Sequence, residues 1–324
     1  MATVLVVGVP RSGTTWVAEV LAAGGDATYL EEPDNHFRFG FAFRAKRSLG
    51  RLDYPWLARD ASGEAVQDYS RLWSVAFAPT LARPGLLADL RRRSANRLIR
   101  AAGSRRVAQA LAGEERHSVL LGSAVALAQP ERAVGGAESL IVKSVYAPLT
   151  VEWIAAHWPV EVVVVQRNPL NVLSSWIKLG WLAPDAPEPL ATLDPAVAAD
   201  LAARFDVPPP PERLLGRATW LIAILSCALD DAARRTATWQ RVLHEDLCAD
   251  PEPRFAELAA RAGLGWAEAG PSLLQTMNRP GERYETSRVA GELHDAWRRR
   301  LDDDQVEEIS AVLDTFPLAG ARLA

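Results

Sequence analysis

The sequence predicts an α/β fold, a parallel β-sheet flanked by helices, and three observations favour it. Short runs of mainly β-branched apolar residues recur along the chain, as in strands that are buried on both faces. Turn-forming residues and then a stretch of helical periodicity follow most of these runs. Polar and charged residues gather where the runs end, at the edge where open parallel sheets bind ligands.

The composition is that of a globular protein, since 49% of the 324 residues are hydrophobic and 23% are charged. We expect one domain over residues 1–324, with a helical insertion at about 37–135 and a Pro-rich excursion at about 184–211. The formal net charge is −4 and no long block of one sign occurs, so nucleic acid is not an expected partner. An Arg-rich segment at 91–106 is expected to be a solvated helix face or, alternatively, a patch that recruits an anionic acceptor.

The cysteines and the hydropathy of the sequence indicate in which cellular compartment the protein is expected. The two cysteines, Cys227 and Cys248, form no disulfide framework and no cluster of metal-ligand spacing, so no metal is expected. No apolar run reaches the roughly 18 to 20 residues of a membrane helix, and the first strand follows the N-terminus without a signal-like segment. We therefore expect a cytoplasmic protein with no membrane span.

The first predicted strand, Val4–Val7, leads into a loop that is suited to an anion. Gly8 and Gly13 are spaced as in a Walker A loop, but Thr14 stands where that loop has its lysine, and Arg11 is the cation nearby. Successive backbone N–H groups and the positive end of the helix that begins at Thr14 point at one spot. The loop is therefore expected to hold a diphosphate-like group, and it is a poor fit to nucleoside triphosphate hydrolysis.

A second short strand, 27–30, delivers acidic residues to the same edge of the sheet. Glu31 and Glu32 follow it directly, and Asp34 and His36 come soon after. Neighbouring residues on an extended segment point to opposite sides, so only one of the two glutamates is expected to face the loop. This segment is interpreted either as an exposed acidic turn or as the source of a general base.

Two further buried-type strands end in cations. The strand 140–143 ends in Lys143, which Ser144, Val145 and Tyr146 follow. The strand 161–166 ends before Arg167, and the helix 170–178 behind it carries Ser174 and Ser175. An arginine fork suits a phosphate because it donates two parallel charge-assisted hydrogen bonds, and a serine one turn into the helix adds a third donor.

The remainder of the chain completes the expected sheet and its cover. We expect a long helix over 214–233, a last strand over 239–243, a helix that opens at Pro251, and a final helix from Asp302 or Asp303 to Leu313. Glu245 and Asp246 follow the last strand and are interpreted as structural, either as caps or as partners of the residues that hold an anion.

At Pro10–Trp16 the sequence resembles the sulfotransferase family, and the Arg167-Asn168-Pro169 segment with Ser175 supplies the second element of that resemblance. The resemblance implies a P-loop-like fold and the donor PAPS (3′-phosphoadenosine 5′-phosphosulfate), with no metal. In this family the loop binds the 5′-phosphosulfate, Arg167 and Ser175 match the pair that binds the 3′-phosphate, and a late loop, matched loosely by Ser287 and Arg288, closes over the nucleotide. The implied donor-binding residues are Arg11, Ser12, Gly13, Thr14, Thr15, Trp16, Arg167, Ser175, Ser287 and Arg288.

The resemblance also implies a catalytic set of Glu32, Lys143 and Arg11. Lys143 matches the lysine that approaches the sulfonyl group, but Val145 occupies the position of the family's usual catalytic histidine. Glu32 is the first choice of base because tyrosylprotein sulfotransferases, which this segment is similar to, carry a glutamate at the same distance beyond the loop arginine. The alternatives left open for the base are Glu31, Asp34, His36 and Tyr146.

The predicted function is transfer of a sulfonyl group from PAPS to an acceptor hydroxyl, with PAP as the product. A carbohydrate or a small-molecule secondary metabolite is the expected acceptor on the family resemblance alone. A P-loop kinase or NTPase is one alternative, and a non-catalytic PAP-binding module that lost its base is another. The sequence leaves the acceptor's identity and the oligomeric state open.

Overall fold

A five-stranded parallel sheet forms the centre of the molecule, which confirms the predicted fold class. The computed structural model describes residues 2–78, 86–111, 118–133, 135, 137–183, 192–278 and 295–318. The strands lie in the order β2-β3-β1-β4-β5. Their bounds are β1 Thr3–Gly8, β2 Ala27–Glu31, β3 Ser139–Ser144, β4 Glu161–Gln166 and β5 Gln240–Leu243.

Helices cover both faces of this sheet, as expected for parallel strands joined by crossover connections. The bounds in the first half are α1 Thr14–Gly24, α2 Gly40–Ser48, α3 Glu64–Ala76, α4 Leu86–Leu111, α5 Ser118–Leu127, α6 Val151–His157 and α7 Pro169–Lys178. Those in the second half are α8 Pro195–Phe205, α9 Leu214–Arg235, α10 His244–Ala249, α11 Pro251–Arg261, α12 Ala269–Met277, a 3₁₀ helix Ala296–Arg299 and α13 Asp303–Leu313.

The core follows from the alternation of side chains along the central strand, β1. Val4 and Val6 pack on one face with residues of α1 and α11, whereas Leu5 and Val7 pack on the other with residues of α3 and α6. Both faces are buried, which explains why the strand reads as a continuous apolar run.

The register brings the carboxyl ends of the strands to one edge. Gly8 at the end of β1 pairs with Val165 of β4, and Glu31 at the end of β2 pairs with Lys143 of β3. The segments that follow these strands therefore meet above the sheet. Among the predicted site residues, Arg11, Glu32, Lys143 and Arg167 lie at this edge.

The predicted insertion is built of helices α2 to α5. Phe43, Ile99 and Leu121 contribute to a small apolar cluster between these helices, separate from the core of the sheet. Helix α4 is interrupted at Gly103, whose φ of 76° and ψ of 155° are not helical. The Pro-rich excursion is described only in part, with α8 as its helix. Treatment of the whole chain as one domain stays a prediction.

Two helices were not anticipated. The sequence pattern assigned no helix to the residues directly after β5, but His244–Ala249 form one short helix. Its first turn holds Glu245 and Asp246, where acids favour a helix N-terminus. Helix α12 is also new. Among the described helices, none has the length and apolarity to cross a membrane.

Candidate active site

The loop between β1 and α1 is held in a conformation that demands glycine at two positions. A Cβ at Gly8 would lie 2.6 Å from the carbonyl oxygen of Val165, so β4 would be displaced. Gly13 has φ of 97°, and a Cβ there would lie 2.2 Å from Cδ2 of His244. Arg11 also adopts a positive φ, 73°. The loop is thus tightly fitted between β4 and α10.

The groups that an anion requires are present at the start of α1. No side chain caps the N-terminus of this helix, so its first N–H groups are left for another acceptor. The Ser12 hydroxyl is buried and makes no hydrogen bond with any described residue. Behind the loop, the ring of Trp16 packs edge-on against His244, with 5.5 Å between the ring centroids.

The structure brings Arg11, Arg167 and Ser175 together, although more than 150 residues separate the loop from the other two. Arg167 Nη1 donates to the backbone oxygen of Arg11 at 3.0 Å, and Arg11 Nε donates to the Ser175 hydroxyl at 3.0 Å. Trp176 Nε1 adds a bond to the Pro10 oxygen at 3.2 Å. The two elements of the predicted anion site therefore form one hydrogen-bonded unit.

Glu245 fixes the arginine end of this unit. Its Oε1 accepts from the Asn168 backbone N–H and from Asn171 Nδ2, both at 3.1 Å, and lies 4.0 Å from Arg167 Nε. That Nε makes no hydrogen bond within the described part of the chain. Burial lowers the pKa of Arg167 to about 10 although Glu245 opposes the shift, so the guanidinium remains charged at neutral pH. A buried cation with a spare donor is suited to an anionic ligand.

The second half of the site is a buried ion pair between Glu32 and Lys143. Glu32 directly follows β2 and has a φ of 47°. Its side chain lies against Lys143, whose Nζ donates a hydrogen bond to Glu32 Oε1. Asn35 Nδ2 donates to the other carboxylate oxygen at 2.7 Å. Burial alone would raise the pKa of Glu32, but the charge and hydrogen bond of Lys143, with the bond from Asn35, lower it below its ordinary value. Glu31 instead pairs with Arg38 and is partly exposed.

Three of the alternative bases have different surroundings. Asp34 is fully buried and accepts hydrogen bonds from the Ser144 hydroxyl at 2.8 and 2.9 Å. Burial, and then the nearby Lys46, lower the pKa of His36 well below its ordinary value. Burial and the charge of Glu32 raise the pKa of Tyr146 well above 10, so it is a poor base at neutral pH. Glu32 is the carboxylate in direct contact with Lys143.

Sequence reasoning missed several residues of this edge. Lys46 lies in the last turn of α2 between Arg44 and Arg47, and charged residues of this kind are normally exposed. Its placement three residues after the buried Phe43 puts it on the buried face of the helix, which is the signal that could have found it. His244 and Asn171 were missed because their roles depend on contacts with residues far away in the chain, Gly13 and Glu245 respectively. The predicted nucleotide-closing residues, Ser287 and Arg288, lie outside the described residues. Within the described ranges, no group of three or more His, Cys, Asp or Glu side chains could hold a metal ion.

This arrangement agrees with the sequence comparison. A family model described as "Sulfotransferase family" matches residues 3–210, so the chain belongs to the sulfotransferase family. The protein is therefore a sulfotransferase, an enzyme that transfers a sulfonyl group. No protein with a curated description matches the chain significantly.

Three solved structures are similar over most of the chain. The sulfotransferase domain from the Synechococcus PCC 7002 olefin synthase is 16% identical and covers 95% of this chain and 94% of its own, with a TM-score of 0.44. The sulfotransferase domain from the curacin biosynthetic pathway is 14% identical over 97% of both chains, with a TM-score of 0.46. Sulfotransferase STF9 from Mycobacterium avium is 16% identical over 98% of this chain and 77% of its own, with a TM-score of 0.39.

Proposed function

We propose that the enzyme transfers the sulfonyl group of PAPS to a hydroxyl of a carbohydrate or small-molecule metabolite and releases PAP. The observation that carries the proposal is the hydrogen-bonded unit of Arg11, Arg167 and Ser175 beside the buried pair of Glu32 and Lys143. PAPS has two separate anionic groups, the 5′-phosphosulfate and the 3′-phosphate, and the hydrogen-bonded unit has donors for both. The spare donors of Ser12 and Arg167 support this fit.

The loop is proposed to bind the 5′-phosphosulfate. Its backbone N–H groups and those of the first turn of α1, with the hydroxyls of Ser12, Thr14 and Thr15, are donors at the positive end of a helix. Trp16, packed beside His244, closes the site behind the loop. Arg167 and Ser175 are proposed to bind the 3′-phosphate. Ser287 and Arg288 stay predictions for the closing loop.

Catalysis is assigned to Glu32, Lys143 and Arg11. PAPS supplies the sulfonyl group. The hydroxyl oxygen of the acceptor bonds to sulfur while its O–H bond breaks, and Glu32 accepts the proton. Lys143 and Arg11 stabilise the negative charge that grows on the bridging oxygen as the old S–O bond breaks and PAP leaves. In the structure, the contact between Lys143 and Glu32 keeps the carboxylate ionised and thus able to take that proton.

The alternatives have weaker support. A P-loop kinase or NTPase would need a lysine at Thr14 and an acid for Mg²⁺ at the end of β4, where Gln166 stands. A non-catalytic PAP-binding module is suggested by Val145 in the histidine position. The buried pair of Glu32 and Lys143 favours catalysis over that alternative, because burial of two charges carries a desolvation cost that a pair of apolar residues would avoid, and binding of PAP alone needs no carboxylate at this position.

The decisive experiment is calorimetric titration of PAP into the wild type, Arg167→Ala and a control, Arg254→Ala. Arg254 is an exposed arginine whose partner, Glu257, is one turn along the same helix. We expect micromolar binding that weakens by about 10²-fold in Arg167→Ala, near 3 kcal/mol, and is unchanged in the control. Binding of ATP instead of PAP would contradict the assignment of the donor. Unchanged affinity in Arg167→Ala would contradict the assignment of the 3′-phosphate site.

A further inference from the structure

A group of buried polar side chains lies next to the proposed catalytic pair and has no part in the donor site. We call it the acceptor-side cluster and define it as Asp34, His36, Lys46, Tyr54 and Tyr146. These residues come from the segment after β2, helix α2, the segment after α2 and the segment after β3. Lys46 and Asp34 are 0% exposed, and His36 and Tyr54 are 1% exposed. Such burial of polar groups requires an explanation.

Three members of the cluster have polar atoms that no described residue satisfies. These atoms are Lys46 Nζ, the Tyr54 hydroxyl and His36 Nδ1. Lys46 Nζ lies over the Tyr146 ring, 4.1 Å from its centroid, but this contact uses none of its three N–H groups in a hydrogen bond. Burial of an unsatisfied donor or acceptor is unfavourable, so a ligand that satisfied these three atoms would recover free energy.

The cluster adjoins the reacting groups. Asp34 holds the Ser144 hydroxyl, which also accepts the Tyr146 N–H at 3.0 Å, and Ser144 follows Lys143 in the chain. The charge of Glu32 acts on Lys46, Tyr54 and Tyr146. Solvent reaches the cluster at the half-buried Tyr146 and at Asp53, which is 25% exposed and lies 3.5 Å from His36 Nε2.

The charges of this region do not favour an anionic acceptor. The carboxyl groups of Asp34, Asp53 and Glu32 act electrostatically on Lys46, and Glu32 also pairs with Lys143, so carboxyl groups offset the charges of both lysines. The cluster therefore offers no net positive charge. It offers ammonium donors, a phenol and an imidazole nitrogen, which together match hydroxyl groups that both donate and accept.

The walls of the cluster are aromatic. The rings of His36 and Phe37 lie 4.0 Å apart, and those of Tyr54 and Tyr146 lie 6.2 Å apart. Apolar and aromatic walls with a few convergent polar groups are typical of sites for small uncharged molecules.

We propose that Lys46, Tyr54 and His36 form an acceptor subsite for an uncharged, polyhydroxylated group of the sugar type, bound through hydroxyls other than the one that is sulfonated. The inference rests on the proposed sulfonyl transfer. It adds the residues that bind the acceptor and the acceptor's lack of charge. It differs from the alternative in which the Arg-rich segment at 91–106 recruits an anionic acceptor.

The test compares acceptors that differ in charge and number of hydroxyls. Transfer from PAPS is measured with a series of 4-nitrophenyl glycosides, the matched 4-nitrophenyl uronides, and 4-nitrobenzyl alcohol as an acceptor with one hydroxyl. The best neutral glycoside is expected to exceed its uronide and the alcohol by at least about tenfold in kcat/KM. A uronide or the alcohol as the best acceptor, or no transfer to any glycoside, would overturn the proposal.

Two variants test the residues, and stability measurements separate binding from folding. Tyr54→Phe and Lys46→Met are expected to raise the KM for the best glycoside by about tenfold with unchanged affinity for PAP. Because the Tyr54 hydroxyl has no described partner, Tyr54→Phe should keep or raise the Tm. The control is Tyr69→Phe, which removes a buried hydroxyl paired with Thr150 at 3.1 Å and should lower the Tm with KM unchanged.

The outcomes separate this inference from the proposed function. If PAP binds and glycosides accept sulfonyl groups, but Tyr54→Phe leaves KM within about twofold of the wild type, the subsite is wrong and the proposed function stands. If PAP does not bind the wild type, the proposed function itself fails. Should Lys46→Met not fold, Tyr54→Phe alone decides.

Discussion

Replacement of Glu32 by glutamine tests the proposed base with little change in shape. The amide can still accept the hydrogen bond from Asn35, but it cannot take a proton from the acceptor. A positioned general base contributes about 10²- to 10⁴-fold, so kcat should fall by that range while the affinity for PAP stays within about threefold. The structure supports this separation because Glu32 contacts Lys143 and Asn35, whereas the proposed donor-binding unit is formed by Arg11, Arg167 and Ser175.

The same variant should be less stable, with a defined dependence on pH. Loss of one partner from a buried ion pair costs about 3–5 kcal/mol. The pKa of Glu32 is lower in the folded state than its ordinary 4.5. Its contribution to stability is therefore complete above the unfolded pKa and is lost as the pH falls through the folded pKa. The difference in free energy of unfolding between wild type and Glu32→Gln should thus shrink in acid.

The assay is transfer of radiolabelled sulfonyl groups to the best acceptor at neutral pH, with urea unfolding of each variant at several pH values. Glu31→Gln is the matched control, because it removes the neighbouring carboxylate, which pairs with Arg38 and is partly exposed. The control should retain activity within about threefold. The reasoning is refuted if Glu32→Gln retains that much activity, or if Glu31→Gln is equally impaired.

Two further substitutions test the donor loop. Gly13→Ala should weaken PAP binding by at least about tenfold in calorimetry and destabilise the fold by about 1–3 kcal/mol. The reason is that Gly13 has a positive φ and that the new Cβ would clash with His244. The control is Gly265→Ala, where a Cβ meets nothing within 4 Å, and it should change neither quantity. Ser175→Ala should lower PAP affinity by about 10- to 100-fold, since a hydrogen bond to a charged group such as the 3′-phosphate contributes about 1.5–3 kcal/mol. Ser174→Ala, which loses only a bond within the helix, should bind PAP like the wild type, and equal losses in both variants would contradict the assignment of Ser175.

The sheet and the donor loop could be predicted from the sequence because their determinants are local. Each strand of a buried parallel sheet is a short apolar run, and all five predicted runs are strands within one or two residues. The loop after β1 is equally local, since Gly8 and Gly13 meet backbone requirements set within a few residues or by the adjacent strand. The helix expected over 214–233 extends instead to Arg235, and boundaries of this kind are the least determined feature of a pattern.

The acceptor-side cluster could be predicted only in part. Asp34, His36 and Tyr146 were candidates for the base, but Lys46 and Tyr54 were not, because long-range contacts bring them to this place. Lys46 is 97 residues from Lys143 in the chain. Its spacing from Phe43 indicates a buried face of α2, but nothing near it in sequence indicates that this face lies beside Asp34 and Tyr146. Asp34 depends in the same way on Ser144, 110 residues away. Charged residues are normally exposed, so a sequence pattern gives them a surface position unless tertiary contacts override it.

The donor loop is easier to predict from sequence than the acceptor-side cluster, and the reason is chemical. Phosphate can be bound by backbone N–H groups at a helix N-terminus, a geometry that glycine spacing encodes and that leaves a recognisable motif. An uncharged acceptor offers no such uniform feature, so the proposed acceptor subsite consists of side chains from several segments, namely the segment after β2, helix α2 and the segment after α2. Because the unsatisfied atoms of Lys46 and Tyr54 are unfavourable for folding alone, their presence beside Glu32 is better explained by selection for binding than by stability. Measurement of Tm and KM on the same variants is therefore more informative about the acceptor than either quantity alone.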